Sequence, residues 1–156
     1  MRSSRLGQKP SIAMRTQRPP PSAQLRQLRI LLSCLILTTT IHYAHNYIRA
    51  EDYPPVPGIY PTPDAYRIGI AILFPIQTLC GIRGYYLYQA GHVRSSIPYL
   101  ACHATLGIRT PGHFFGGVPQ IPWFWFVTIF TDFFAGVALA VFCYQAYTAS
   151  ILEGAF

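Results

Sequence analysis

Hydrophobic residues along the chain are gathered into four segments, separated by stretches rich in proline, glycine and charged residues. The segments cover about residues 30–48, 67–87, 94–110 and 122–147. Nineteen residues of helix measure about 28 Å, close to the roughly 30 Å thickness of the bilayer hydrocarbon. The pattern therefore predicts an all-α, polytopic membrane protein: a bundle of four transmembrane helices within residues 26–150.

The third segment is the shortest of the four. Its uninterrupted apolar stretch, residues 97–108, gives only about 18 Å of helix. A helix over 94–110 would cross the bilayer if Arg94 and Arg109 extended their long side chains to opposite surfaces. The alternative is a re-entrant hairpin, because short apolar segments also form such hairpins.

Basic residues are concentrated before the first segment. Seven of the twelve lie in the first 29 positions, and no acidic residue precedes Glu51. A basic flank next to an apolar segment faces anionic lipid on the cytoplasmic side, so we expect both termini in the cytoplasm and no nucleic-acid partner. This orientation leaves nine basic residues inside and three outside.

The first 25 residues have the composition of a disordered tail, with several prolines, serines and glutamines. They are also rich in arginine and free of acid. A mitochondrial transit peptide is therefore the alternative, and it would place the protein in the mitochondrial inner membrane. The proline run 19–21 opposes the amphipathic helix that such peptides form. Residues 151–156 are predicted to be a short C-terminal tail.

The sequence carries no recognisable catalytic motif and only five acidic residues. The four cysteines stand singly within apolar segments, where cysteine behaves as a small apolar residue. We therefore expect a non-catalytic protein, and the sequence identifies no cofactor.

Each predicted helix places one polar side chain at a similar depth in the membrane. The four are His42, Gln77, His103 and Asp132. An ionised aspartate at this depth costs about 2.5–3.5 kcal/mol and needs a partner. Asp132 shares a helix face with Gly136 and Ala140, small residues that allow another helix to approach closely. We expect a polar pocket for a small apolar ligand, a lipid or a partner helix, with His45 and Trp125 at its mouth.

Two other interpretations are open. His42 and His45 lie three residues apart on one helix face, a spacing that can bind a metal ion with His103, His113 or Asp132 as the further ligand. In this interpretation the protein is a redox membrane subunit that binds a metal ion or haem through His42, His45 and His103. Alternatively, the buried polar side chains only join helices in a purely structural accessory subunit of a membrane complex.

The layout of four helices, with a histidine in the third and a proline in the second, resembles that of EXPERA-type sterol-binding membrane proteins. Residues 97–106 carry the resemblance. The chain lacks the carboxylate that this family holds in its second helix, so we do not assign it to the family.

Overall fold

A computed structural model of the protein describes residues 20–152. The predicted tails therefore lie mostly outside the described residues. The elements are the α-helices α1 (Ser22–Ile48), α2 (Pro63–Gln89), α3 (Val93–Ile108) and α4 (Trp123–Leu152), and two 3₁₀ helices, Ala50–Asp52 and Thr110–Phe115. Every regular element in this range is helical, which confirms the all-α prediction for the described residues.

Three of these helices, α1, α2 and α4, are long and apolar enough to cross a membrane. Helix α3 has 16 residues, or about 24 Å of length. The count of four crossings stays a prediction.

Helix α2 exposes one apolar face formed by Ile68, Ile72, Ile76 and Leu79, with exposed fractions between 53% and 64%. A contiguous apolar surface of this kind is typical of contact with lipid or another protein.

The helices alternate in direction, which gives the bundle two distinct ends. One end, here called the loop end, holds the connections 49–62 and 109–122, which lie against each other: the Gln120 amide donates to the Asp52 carbonyl at 3.2 Å. The other, the turn end, holds the start of α1, the α2–α3 turn and the end of α4. There Arg29 donates to the Tyr85 hydroxyl at 3.0 Å, and Arg94 to the Ser150 carbonyl at 2.6 Å.

Local signals explain where the helices begin. The Thr62 hydroxyl accepts from the Ala65 amide at 3.2 Å, and Pro63 occupies the first helical position of α2. Helix α2 therefore starts earlier than the predicted 67. Helix α1 starts within the predicted tail, immediately after Pro21. The turn between α2 and α3 is closed by Gly91, whose φ of 85° favours glycine.

Apolar packing fills the bundle in two places. The cluster at the turn end includes Leu28, Leu35, Tyr88, Leu100, Leu139 and Phe142, and the cluster at the loop end includes Tyr43, Tyr53, Tyr66, Ile70 and Leu106. Between them α3 and α4 cross in close contact: a Cβ on Gly136 would lie 2.7 Å from the Ala104 carbonyl oxygen. The second cluster is largely aromatic and surrounds buried polar side chains.

Candidate functional site

Four polar side chains from three elements meet inside the loop end. We call them the histidine cluster: His42 and Asn46 from α1, Tyr66 from α2, and His113 from the 3₁₀ helix Thr110–Phe115. His42 and Asn46 are fully buried, and Tyr66 and His113 are 7% exposed. Side-chain nitrogen and oxygen atoms that form hydrogen bonds face one another here, so the cluster is the strongest candidate site in the described residues.

Distances within the histidine cluster are short. The two histidine Nε2 atoms lie 3.2 Å apart. Asn46 Nδ2 lies 2.9 Å from His42 Nε2, 3.2 Å from His113 Nε2 and 2.7 Å from the Tyr66 hydroxyl. The Tyr66 hydroxyl lies 3.4 Å from His113 Nε2. Four polar atoms therefore occupy the corners of one small polyhedron.

The tautomer of His42 is set by a threonine on α4. The Thr128 hydroxyl donates to the Trp125 carbonyl at 2.6 Å, so its oxygen is left to accept from His42 Nδ1 at 2.8 Å. The neutral His42 ring then carries its proton on Nδ1. Its Nε2 lone pair points into the cluster.

The packed loops hold His113 in place. The Thr110 hydroxyl lies 2.7 Å from the Gly107 carbonyl oxygen and 2.8 Å from that of Ile129. A Cβ on Gly116 would lie 2.6 Å from the Pro55 carbonyl oxygen, so this position needs glycine for the two loops to meet. Burial lowers the pKa of His113 to about 4, which keeps its ring neutral at physiological pH.

The residues predicted at the mouth do lie beside the histidine cluster. His45 stacks on Trp125, with ring centroids 4.1 Å apart and an angle of 20° between the planes. Its Nδ1 lies 2.9 Å from the Tyr53 hydroxyl. The Tyr53 ring is in turn 4.9 Å from that of His113. Burial raises the pKa of Tyr53, so its phenol stays protonated and uncharged.

Gln77 and His103 belong to a second polar group, between α2 and α3. Gln77 donates to the Thr105 hydroxyl at 2.7 Å, and Arg109 donates to the Gln77 side-chain oxygen at 2.5 Å. His103 Nδ1 lies 3.0 Å from the Gln77 carbonyl oxygen, while its Nε2 is buried without a hydrogen-bond partner. Arg109 thus contacts Gln77 and Tyr43 while the residue as a whole remains exposed.

Asp132 stands apart from both groups. It is fully buried, and neither carboxyl oxygen has a hydrogen bond of ordinary geometry within the described chain. The Thr38 hydroxyl approaches it but donates to the Leu35 carbonyl at 3.2 Å. No hydrogen bond or ion pair in residues 20–152 joins Asp132 to His42, Gln77 or His103. The expected meeting of four side chains at one level is thus replaced by three separate polar groups.

The predicted metal-binding set is not assembled either. Within residues 20–152, no three histidine, cysteine, aspartate or glutamate side chains are grouped so that they could hold a metal ion. Of the predicted trio, His42 lies in the histidine cluster, His45 pairs with Tyr53, and His103 with the Gln77 backbone.

Sequence reasoning missed three residues of this region as site members, Asn46, Tyr66 and Thr128, and offered His113 only as an alternative further metal ligand. Asn46 follows His42 by four residues and Thr128 precedes Asp132 by four, so each shares a helix face with a predicted site residue. Tyr66 carries no such signal, because it lies in the first turns of α2, ahead of the predicted start at 67. His113 is brought to the cluster by the packing of the two loops. Comparisons of the chain with protein-family models, curated proteins and solved structures found no match.

Proposed function

We propose that this protein crosses the membrane four times, with both termini in the cytoplasm, and binds a small ligand in its outer half at the histidine cluster. In this proposal the loop end faces outward and the turn end faces the cytoplasm. Lipid surrounds the bundle, and the ligand is held by side chains rather than transformed by them.

The short α3 serves as the fourth span in this proposal. It packs against both α2 and α4. At its two ends, Arg94 donates a hydrogen bond to the Ser150 carbonyl and Arg109 donates one to the Gln77 side chain, so each guanidinium group has a partner in a neighbouring helix. A span of about 24 Å is tolerated where neighbouring helices and local thinning of the bilayer compensate for its length.

The distribution of charge supports the orientation. Arg26, Arg29, Arg83 and Arg94 all lie toward the turn end. At the loop end, Arg49 pairs with Asp52 at 2.8 Å, and Arg67 pairs with Glu51 at 2.5 Å and with Asp64 at 3.0 Å. With Arg109 also at the loop end, three basic residues lie there and four lie at the turn end, and five more precede Arg26 in the sequence on the side where α1 begins. This excess of basic residues supports a cytoplasmic turn end.

One observation carries the binding proposal: buried polar atoms from separate elements converge on a single point of the loop end. An apolar core would stabilise the bundle at lower cost, because polar side chains at membrane depth are expensive. Such residues are typically retained where they serve a ligand, an ion or a partner. The His45–Trp125 stack beside the cluster supplies an aromatic wall.

Native mass spectrometry of the protein purified in mild detergent tests the proposal for a ligand of any identity. We expect the wild type to carry a bound species above the mass of the chain, and Asn46→Leu and His113→Gln to lose it. His92→Gln is the matched control, because His92 is exposed in the turn at the opposite end. If the wild type and the variants all have the mass of the chain alone, the interpretation as a structural accessory subunit would be favoured instead.

A further inference from the structure

We propose that the ligand of the histidine cluster is a single first-row divalent cation, Zn²⁺ or a metal of similar preference. His42 Nε2 and His113 Nε2 are the principal ligands, and Asn46 and Tyr66 supply oxygen. This inference rests on the proposed binding function and names the chemical class of its ligand.

The distance between the two histidines is the first argument. A metal ion with four tetrahedral bonds of about 2.0–2.1 Å holds its ligand atoms about 3.3–3.4 Å apart. The His42–His113 Nε2 separation is 3.2 Å, and His113 Nε2 lies 3.2 Å from Asn46 Nδ2 and 3.4 Å from the Tyr66 hydroxyl. These three distances are close to those of a tetrahedral shell, whereas the Asn46 distances to His42 Nε2 (2.9 Å) and to the Tyr66 hydroxyl (2.7 Å) would have to lengthen by about 0.4–0.7 Å.

The orientation of His42 is the second argument. Metal-bound histidines almost always donate their other ring N–H to a fixed acceptor, which sets the tautomer and aims the free lone pair. Thr128 plays this part for His42, because its own hydroxyl proton is committed to the Trp125 carbonyl. The unprotonated Nε2 therefore faces His113 before any cation arrives.

Asn46 supplies the third argument. Its Oδ1 is buried without a hydrogen-bond partner, while its Nδ2 lies within 3.2 Å of three polar atoms of the cluster. The two ends of an amide have nearly the same size and can be exchanged by a half-turn. That turn brings Oδ1 to the centre as a ligand and moves Nδ2 to the position that Oδ1 leaves.

The donor set selects the cation. Two imidazole nitrogens with amide and phenol oxygens suit Zn²⁺, Cu²⁺, Ni²⁺ or Co²⁺, whereas Mg²⁺ and Ca²⁺ prefer sites made wholly of oxygen. Two nitrogens 3.2 Å apart also leave no space for a macrocycle between them, so this pair does not match axial ligation of haem. His45 and His103 lie outside the donor set.

The test uses the full chain with a Strep tag, so that no added histidines bind metal. Elemental analysis after purification and titration with Zn²⁺ and Co²⁺ measure stoichiometry and affinity, and Co²⁺ adds the visible absorption of a four-coordinate ion. We expect one equivalent per chain. His42→Gln and His113→Gln should each weaken binding by at least about 100-fold, and Thr128→Val, which removes the outer partner of His42, by about 10–100-fold.

His92→Gln, at the opposite end of the bundle, is the matched control and should keep the wild-type affinity. Circular dichroism and size-exclusion profiles confirm that each variant is folded. Absence of stoichiometric metal, or equal losses in His92→Gln and His42→Gln, overturns the inference. A non-metal adduct in native mass spectra that depends on His113 keeps the proposed function while refuting the metal. If the purified chain carries no bound species and binds neither Zn²⁺ nor Co²⁺ on titration, both the metal inference and the proposed function are refuted.

Discussion

Buried polar side chains in this bundle differ in how well the fold satisfies them. Gln77 uses both ends of its amide, donating to Thr105 and accepting from Arg109, and so joins two helices. Asp132 and the Nε2 atom of His103 are buried with no hydrogen-bond partner within the described residues. A satisfied group contributes little net stability, whereas an orphaned one carries its full desolvation cost. Substitution of these unpaired groups should therefore raise the free energy of unfolding more than substitution of a group that has its hydrogen bonds.

Asp132→Asn should stabilise the protein. The substitution keeps the shape of the side chain but removes a carboxyl group that has to be either charged or protonated inside the bundle. A gain of about 1 kcal/mol would raise the unfolding midpoint by about 2–8 °C in a domain of this size. Thermal unfolding in detergent, followed by circular dichroism, measures the shift.

Asp64→Asn is the control for that experiment, because Asp64 is 86% exposed and its ion pair with Arg67 lies at the surface. Exposed ion pairs contribute little to stability, so its midpoint should stay close to that of the wild type. A lower midpoint for Asp132→Asn would show that the carboxyl group has a stabilising partner in the folded protein.

At the level of the helices, the α3–α4 crossing is the tightest contact. Glycines on both helices make it: Gly107 faces the backbone of Asp132, and Gly136 faces that of Ala104. The sequence already indicated a close approach at Gly136, since small residues four apart allow it. Its partner could not be named, because the pattern on one helix does not say which helix packs against it.

Gly107→Ala should strongly destabilise the bundle. A Cβ at this position would overlap the Asp132 carbonyl oxygen, which belongs to the backbone and cannot rotate away. The helices would have to separate, at a cost at or above the roughly 1–3 kcal/mol typical of overpacked cores. The unfolding midpoint in detergent is again the measurement.

Gly69→Ala is the matched control, because a Cβ on Gly69 would meet no heavy atom within 4 Å. It should be neutral, or stabilising by roughly 0.5–1 kcal/mol, since alanine favours helix more than glycine does. Equal losses in the two variants would show that α3 and α4 are not in contact at Gly107.

At the scale of the whole molecule, the two ends of the bundle differ in construction. The loop end has two long connections packed on each other, acidic side chains paired with arginine, and the histidine cluster beneath. The turn end has one short turn, and its arginines form hydrogen bonds to Tyr85 and Ser150. The proposed topology places the loop end outside the cell and the turn end in the cytoplasm.

Single cysteines on a background without the native ones test the topology. Ile59→Cys and Val118→Cys, which are 70% and 62% exposed on the two outer loops, should both react with an impermeant maleimide in intact cells. Gln89→Cys, at the end of α2 on the opposite side of the bundle, should react only after permeabilisation. Labelling of just one outer loop in intact cells would contradict a topology of four crossings.

The sequence by itself determined where helices form and which faces are apolar. The long apolar segments predicted α1, α2 and α4, because a helix in lipid must be apolar over its whole span. It also placed His42 and Asp132 well inside their helices, since each residue adds a known rise of about 1.5 Å along a helix.

Only the tertiary structure decided which of these side chains face each other. Equal depth does not imply contact, because rotation about a helix axis changes by about 100° per residue and is set by packing such as that of Gly107 and Gly136. The two loops then carry His113 over the bundle to a residue 71 positions earlier in the chain. His42 therefore contacts His113 and not Asp132. The depth of a residue follows from its position in its own helix, whereas the direction in which its side chain faces depends on how all four helices pack together.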